Sequence, residues 1–361
     1  MKKIGILCLV MFLLVGCSQA QENIKEQTGS DTASMDSFES GYYRIVDFGG
    51  SKLRENFYLN FSATSDFQTI GRGLQILSSN YFSTSSHYMS EGQYFDLDQR
   101  SALLKRDADV NKYPYSLQSP KGETIDGITD PIMVSNIQEQ NYYIKDGSNY
   151  VLKGISLAVI LDPRKSNNDS LDTPMSDKTI EDFGEQCIEK LYKYIRNDDA
   201  FKEVKDLPIL ITVFKATDTT NSTFDGNYIL ESYCDKEVGK IRTVDHENVL
   251  FTSARANEID KTTASEFDII KTSLKEASQE AVGFMGEAKY ENGEIKSMVI
   301  TANLNIKTYT ELLYLSSIIA DNINSKFTND FSIKVLVNSQ DKLQAVIIKE
   351  KGKSAKTYPL Y

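Results

Sequence analysis

The chain has no tryptophan, two histidines, four cysteines and seven prolines in 361 residues. So few histidines leave little for metal or acid–base chemistry. His87 in Ser-Ser-His-Tyr and His246 in Asp-His-Glu stand alone, without the Cys/His spacing that holds a metal. Neither sits in a recognisable catalytic context. A phosphate loop, a dinucleotide fingerprint and a Gly-x-Ser-x-Gly elbow are also missing, so no cofactor is expected. Positive charge is scarce: 40 basic against 51 acidic residues give a net charge of −11, which disfavours nucleic acid as a partner. No apolar run approaches the roughly 20 residues that a bilayer-spanning helix needs.

The amino terminus carries the strongest signal. Met1-Lys2-Lys3 is basic, Ile4 to Val15 carries no charge, and Leu14-Val15-Gly16-Cys17 closes the run. That is the anatomy of a secretory signal peptide over residues 1–16. A cysteine behind Leu-Val-Gly places cleavage between Gly16 and Cys17, with the Cys17 thiol acylated, palmitate being the expected chain. One acyl chain holds marginally at about 0.8 kcal/mol per buried methylene, whereas two or three hold stably. The expected location is the outer face of the cell membrane, with the lipid on Cys17 as the membrane contact. Residues 17–40 are rich in Ser, Thr, Gln, Asp and Glu and read as a disordered leash with a reach of roughly 25 to 30 Å.

Beyond the leash, 20 tyrosines and 17 phenylalanines in the whole chain point to an aromatic-rich packed interior. The organisation reads as an N-terminal part over 41–140, a first unit over 141–240 and a C-terminal unit over 241–361. A strand opens at Gly41, and helices are predicted over 66–82 and 98–105. Residues 112–130, with Pro114, Pro120, Gly122 and Gly127, read as a long exposed excursion. Two stretches then share one order. In the first, a strand over 151–161 precedes a helix over 178–196 and strands over 207–214 and 227–233. In the second, a strand over 295–304 precedes a helix over 309–326 and strands over 331–337 and 343–349.

Both helices are amphipathic, with Thr179/Asp182 and Thr308/Glu311 as capping boxes. Asn292-Gly293 predicts a type I′ hairpin turn. The expected fold class is α+β, with mixed, mainly antiparallel sheets, helices packed on one face, and a possible duplication of the strand-helix-strand-strand unit. Cys187 and Cys234 remain as either one disulfide or two free thiols, Cys187 falling on the apolar stripe of its helix.

The densest polar–aromatic cluster is Glu91-Gly92-Gln93-Tyr94 with Asp96 and Asp98. Glu91, Gln93 and Tyr94 are the candidate contacts for a peptide or wall fragment. Asp96-x-Asp98 lacks the glycine and distal glutamate of a calcium loop and reads as a solvated turn, and His246 as a solvated loop residue. A glycosidase needs two carboxylates that can be far apart in the chain; nothing in the pattern singles out such a pair, and no enzymatic activity is expected.

Several segments in order along the chain resemble the CamS family of sex-pheromone lipoproteins of Gram-positive bacteria. These are Tyr42-Tyr43-Arg44-Ile45, Glu91-Gly92-Gln93-Tyr94, Asp130-Pro131-Ile132, Ile137-Gln138-Glu139-Gln140-Asn141-Tyr142, Leu152-Lys153-Gly154-Ile155, Leu207-Pro208-Ile209-Leu210-Ile211, Val249-Leu250-Phe251 and Val282-Gly283. The sequence departs from the family at Asp130, at Asn141 and in the loop over 112–127. The resemblance implies that the named activity belongs to the excised signal peptide, which is trimmed to a short peptide sensed by other cells. The peptide candidate is then Val10, Met11, Phe12, Leu13, Leu14, Val15 and Gly16, and the folded domain is non-catalytic. Alternatives are a lipoprotein that binds a ligand or wall fragment, and an envelope hydrolase.

Overall fold

The computed structural model describes residues 30–31, 42–54, 67–166, 169–216, 226–278, 280 and 282–360. The signal peptide, Cys17 and most of the leash lie outside these residues. Within the leash, Ser30–Asp31 (β1) pair antiparallel with Asp47 and Val46, so this part of the tract read as disordered is a strand.

Among the described residues the first sheet has nine strands. Arg44–Asp47 (β2) and Tyr88–Glu91 (β3) run parallel, and β3 joins the long hairpin of Ile132–Asp146 (β6) and Asn149–Ser166 (β7). Asp169–Ser170 (β8) folds back on the end of β7. Beyond β7 lie Ile209–Lys215 (β9), parallel to it, then Asn227–Cys234 (β10) and Arg242–Thr243 (β11). The sheet is covered on both faces. Helix Phe67–Ser78 (α1) packs Ile70, Leu74 and Leu77 against Ala158, Ile160 and Leu210. Helix Asp177–Asn197 (α3) packs Ile180, Cys187, Ile188 and Leu191 against Leu157, Val159, Ile209 and Ile211. Alternate residues of β7 and β9 therefore face two different helices, which is why both strands read as unbroken apolar runs.

The second sheet orders His246–Phe251 (β12), Val282–Glu291 (β13), Glu294–Leu304 (β14), Ser332–Ser339 (β15), Lys342–Lys349 (β16) and Lys356–Pro359 (β17). Helices Lys261–Ala277 (α5) and Tyr309–Lys326 (α6) both cover one face. The short helix Ala254–Ile259 (α4) leads into α5. The hairpin turn is type I′ as expected, with φ of 53° at Asn292 and 73° at Gly293.

The two units share more than element order. In each, an antiparallel hairpin (β6–β7, β13–β14) leads through a helix to a strand parallel to the hairpin's second strand (β9, β15). An antiparallel neighbour then follows (β10, β16). The units meet where the Asn248 amide donates to Asn227 Oδ1, at 3.0 Å, and the Asn248 side chain to the Gly226 carbonyl, at 3.3 Å.

Several local expectations change. The N-cap of α3 is Ser176, whose hydroxyl accepts from the Thr179 amide, while Asp182 pairs with Lys178 rather than closing a box with Thr179. At α6 half of the expected box forms: Thr308 caps the helix by accepting from the Glu311 amide, but the Glu311 carboxylate accepts from the Lys307 amide, one residue before the cap, rather than from Thr308. The stretch 112–130 is exposed at its start and over most of 121–129, as expected, but its middle, 117–119, is buried and tied to the domain. Leu117 is fully buried, and the Gln118 amide group accepts from the Met133 and Val134 backbone and donates to the Val134 carbonyl. One side chain thus stands in for a neighbouring strand where β6 is bulged. This stretch carries its own hairpin, Thr124–Ile125 (β4) with Ile128–Thr129 (β5). Cys187 and Cys234 are both free and buried, on α3 and β10.

Leu312 on α6 and Ile188 on α3 are buried against their sheets. Each residue truncated to alanine is expected to cost about 2 to 5 kcal/mol. Denaturant melts that superimpose on the parent protein's would contradict these helix faces.

Candidate functional site

Two of the segments that carry the family resemblance meet in space. Strand β3 pairs Ser90 with Asn141 and Glu91 with Gln140, so the turn after Glu91 passes over Glu139 on β6. There the amides of Gln93 (3.2 Å), Tyr94 (3.2 Å) and Phe95 (2.9 Å) all donate to the Glu139 carboxylate. Glycine is needed at position 92 because a Cβ there would sit 2.5 Å from Glu139 Cβ and Oε2. Successive backbone N–H groups curled around an anion make a nest, here filled by the protein's own carboxylate.

Glu139 is 6% exposed. Burial pushes its pKa up from the ordinary 4.5 to about 7, against the pull of the Phe95, Tyr94 and Gln93 amides and of the Asn141 side chain. The turn also holds the chain that enters the domain. Glu91 accepts from the Ser51 amide at 2.7 Å and pairs with the Arg54 guanidinium, and Gln93 Nε2 donates to the Gly49 carbonyl at 3.0 Å. The Tyr94 hydroxyl is buried beside Tyr143, Glu203 and Glu139, and burial raises its pKa. Glu91, Gln93 and Tyr94 are therefore brought together, each engaged within the domain.

The remaining candidates are dispersed. Asp96 caps helix Leu97–Leu104 (α2), accepting from the Asp98 and Gln99 amides in a full capping box, so the turn read as merely solvated has this structural job. His87 hydrogen-bonds Ser83 and Ser86 through Nδ1. His246 is a half-buried residue opening β12 opposite Glu291, not a solvated loop residue; burial lowers its pKa against the opposing fields of Glu291, Glu231 and Asp245. Where the two units meet, a cleft of about 360 Å³ is bordered by Asp177, Glu181, Lys215, Asp245 and Glu247. Lys215 pairs with Asp177, and Glu247 with Arg255. Among the described residues no group of three His, Cys, Asp or Glu side chains could hold a metal. The lipidation and peptide residues, Val10 to Cys17, lie outside the described residues.

Glu139, which gathers this turn, is a residue for which sequence reading found no role. Its signal was a charged residue in a stretch that folds as one long, mostly buried strand.

The fold is an open-sheet α+β architecture shared with two solved sex pheromone precursor structures. One, from Lactobacillus salivarius subsp. salivarius UCC118, superposes with a TM-score of 0.77 at 18% identity, covering 92% of this chain and 99% of that one. The C-terminal domain of the staph-cAM373 precursor from Staphylococcus aureus gives a TM-score of 0.66 at 18% identity, covering 81% and 96%. No curated protein matches the chain. The family model described as CamS sex pheromone cAM373 precursor matches residues 48–355. The chain belongs to the CamS family.

The folded state binds the Glu139 proton more tightly than the unfolded chain. Its contribution to stability is therefore complete below about pH 4.5 and lost as the pH rises through 7, up to roughly 3 kcal/mol. The stability of Glu139→Gln relative to the parent should accordingly rise between pH 5 and pH 8 in denaturant titrations. A difference that stays constant over this range would contradict the raised pKa.

Proposed function

We propose that this protein is an envelope lipoprotein, anchored at the outer face of the cell membrane through Cys17, whose signal-peptide end supplies a peptide signal. The observation that carries the reading is Leu14-Val15-Gly16-Cys17 behind a basic tip and an uncharged apolar run. Family membership supports it, since the matched family is described as a pheromone precursor. The peptide candidate Val10 to Gly16 is uncharged and apolar, which suits passage through membranes and burial in an apolar receptor groove. Acylation fits the absence, among the described residues, of any helix long and apolar enough to cross a membrane.

On this reading the folded domain is a non-catalytic body carried on the surface. What supports that is the use of its most distinctive polar residues, Glu91, Gln93 and Glu139, in holding its own backbone.

Two substitutions separate anchor from signal. Cys17→Ala should abolish fatty-acid labelling and leave an uncleaved precursor; labelled, cleaved protein would refute the lipidation. Phe12→Ser should weaken the response of recipient cells about tenfold or more by removing the largest apolar anchor of the peptide, while the mature lipoprotein is chemically unchanged. A response that survives Phe12→Ser but disappears when residues 41–361 are deleted would assign signalling to the folded domain instead.

A further inference from the structure

Strands β7 and β9 run parallel and α3 crosses between them, so their carboxyl ends open side by side beside the start of α3. In open sheets with crossover helices, that end is where a crevice for a ligand commonly forms. Here it holds a cavity of about 60 Å³. One water needs roughly 10 to 15 Å³ of such space, so the cavity has room for a few waters or for one small branched apolar group. Leu171, Met175 and Ile180 supply apolar wall, and Asp162, Arg164 and Lys215 are the charged residues among the described ones that line it.

Arg164 is the member whose bonding is incomplete. Its side chain is 16% exposed, and its Nε donates to Asp162 Oδ2 at 3.0 Å, the Asp162 side chain being 10% exposed. The two Nη groups of Arg164 donate to no acceptor among the described residues. Donors so far removed from water need an acceptor, and a guanidinium fixed at Nε presents its two Nη groups at the right spacing for both oxygens of a carboxylate.

The surrounding charges favour the same partner. The lining carries two cations and one carboxylate, whereas the whole chain has 40 basic and 51 acidic residues. Lys215 pairs with Asp177, whose side chain is 82% exposed, so water screens that pair and Lys215 still attracts a second anion. One surplus positive charge suits a monoanion; a phosphate brings more negative charge than the lining matches.

We propose that this cavity binds a free carboxylate carried on one branched apolar group, with the carboxylate on Arg164 and the apolar group against Leu171, Met175 and Ile180. Two sources have that chemistry: the C-terminal residue of an apolar peptide, and a short branched fatty acid. The site uses neither Cys17 nor residues 10–16, so it stands or falls separately from the lipid anchor and the peptide signal.

Methyl NMR of the full chain, labelled at methionine and isoleucine, tests this because Met175 and Ile180 report from the cavity wall. The probes are N-acetyl-leucine and 4-methylpentanoate, each beside its uncharged amide. The expected result is a saturable shift of the Met175 and Ile180 signals by at least one acid, bound about tenfold tighter than its amide. Tighter binding of N-acetyl-leucine assigns the site to peptide ends, and tighter binding of 4-methylpentanoate assigns it to fatty acids. Arg164→Gln should abolish the preference for acid over amide. Lys215→Gln should reduce that preference about threefold with the melting curve in place, since the partner it leaves, Asp177, is exposed. This second variant carries the test if Arg164→Gln, which leaves Asp162 buried without its cation, does not fold. No shift at Met175 and Ile180 with either acid, equal binding of acid and amide, or a preference for the acid that survives the substitutions would each overturn the proposal.

Discussion

The carboxylate of Glu139 is the point on which the first half of the structure turns. It is buried on β6, and leaving it without partners would cost several kcal/mol. Three successive backbone amides supply those partners, and this fixes the path of residues 92–95. That path presents Gln93 to Gly49, keeps Glu91 beside Ser51 and Arg54, and delivers Asp96 to cap α2. One buried charge thus organises the strand that carries it, the turn that wraps it, the helix that follows and the chain that enters the domain. A residue at 139 without an acceptor oxygen would leave three amides to find partners elsewhere, so the arrangement trades local stability near neutral pH for a single defined backbone path.

The rest of the architecture follows from one solution used twice. A hairpin, a covering helix, a parallel strand and an antiparallel strand recur in the same order and with the same pairing directions. Parallel neighbours need a crossover, and an amphipathic helix of 18 or 21 residues supplies it while burying one sheet face. The units differ in what lies on the other face. In the first, α1 covers it and both strand parities are apolar; in the second no helix among the described residues covers it, and the outward parity mixes Thr, Asn, Glu and Lys with Met, Leu, Val and Tyr.

What the sequence made legible was local. The Thr308 cap, the Asn292-Gly293 turn and the α6 boundaries depend on residues within a few positions of one another, and they stand as expected. The repeated element order was readable for the same reason. Features fixed across the fold were not. Strand β6 escaped because Asn136, Gln138, Glu139, Gln140 and Asn141 look like loop residues until their partners on neighbouring elements are known. The stretch around Gln118 looked exposed because its burial depends on an amide that borrows the β6 backbone. Helix α5 was missed although Ala264, Phe267, Ile270 and Leu274 have helical spacing, since the intervening Thr, Ser and Lys residues dilute the stripe. The candidate contacts Glu91, Gln93 and Tyr94 were rightly grouped as neighbours in sequence, but the carboxylate that gathers them lies more than forty residues on.

The claim that the Glu139 carboxylate is bound by backbone amides is open to direct measurement by residue-resolved amide hydrogen exchange at Gln93, Tyr94 and Phe95. The account predicts that these amides exchange as slowly as those paired between β6 and β7, and that Glu139→Ala raises their rates by orders of magnitude while the β6–β7 amides change far less. Exchange at the rate of an open loop in the unaltered protein, or protection untouched by Glu139→Ala, would contradict it.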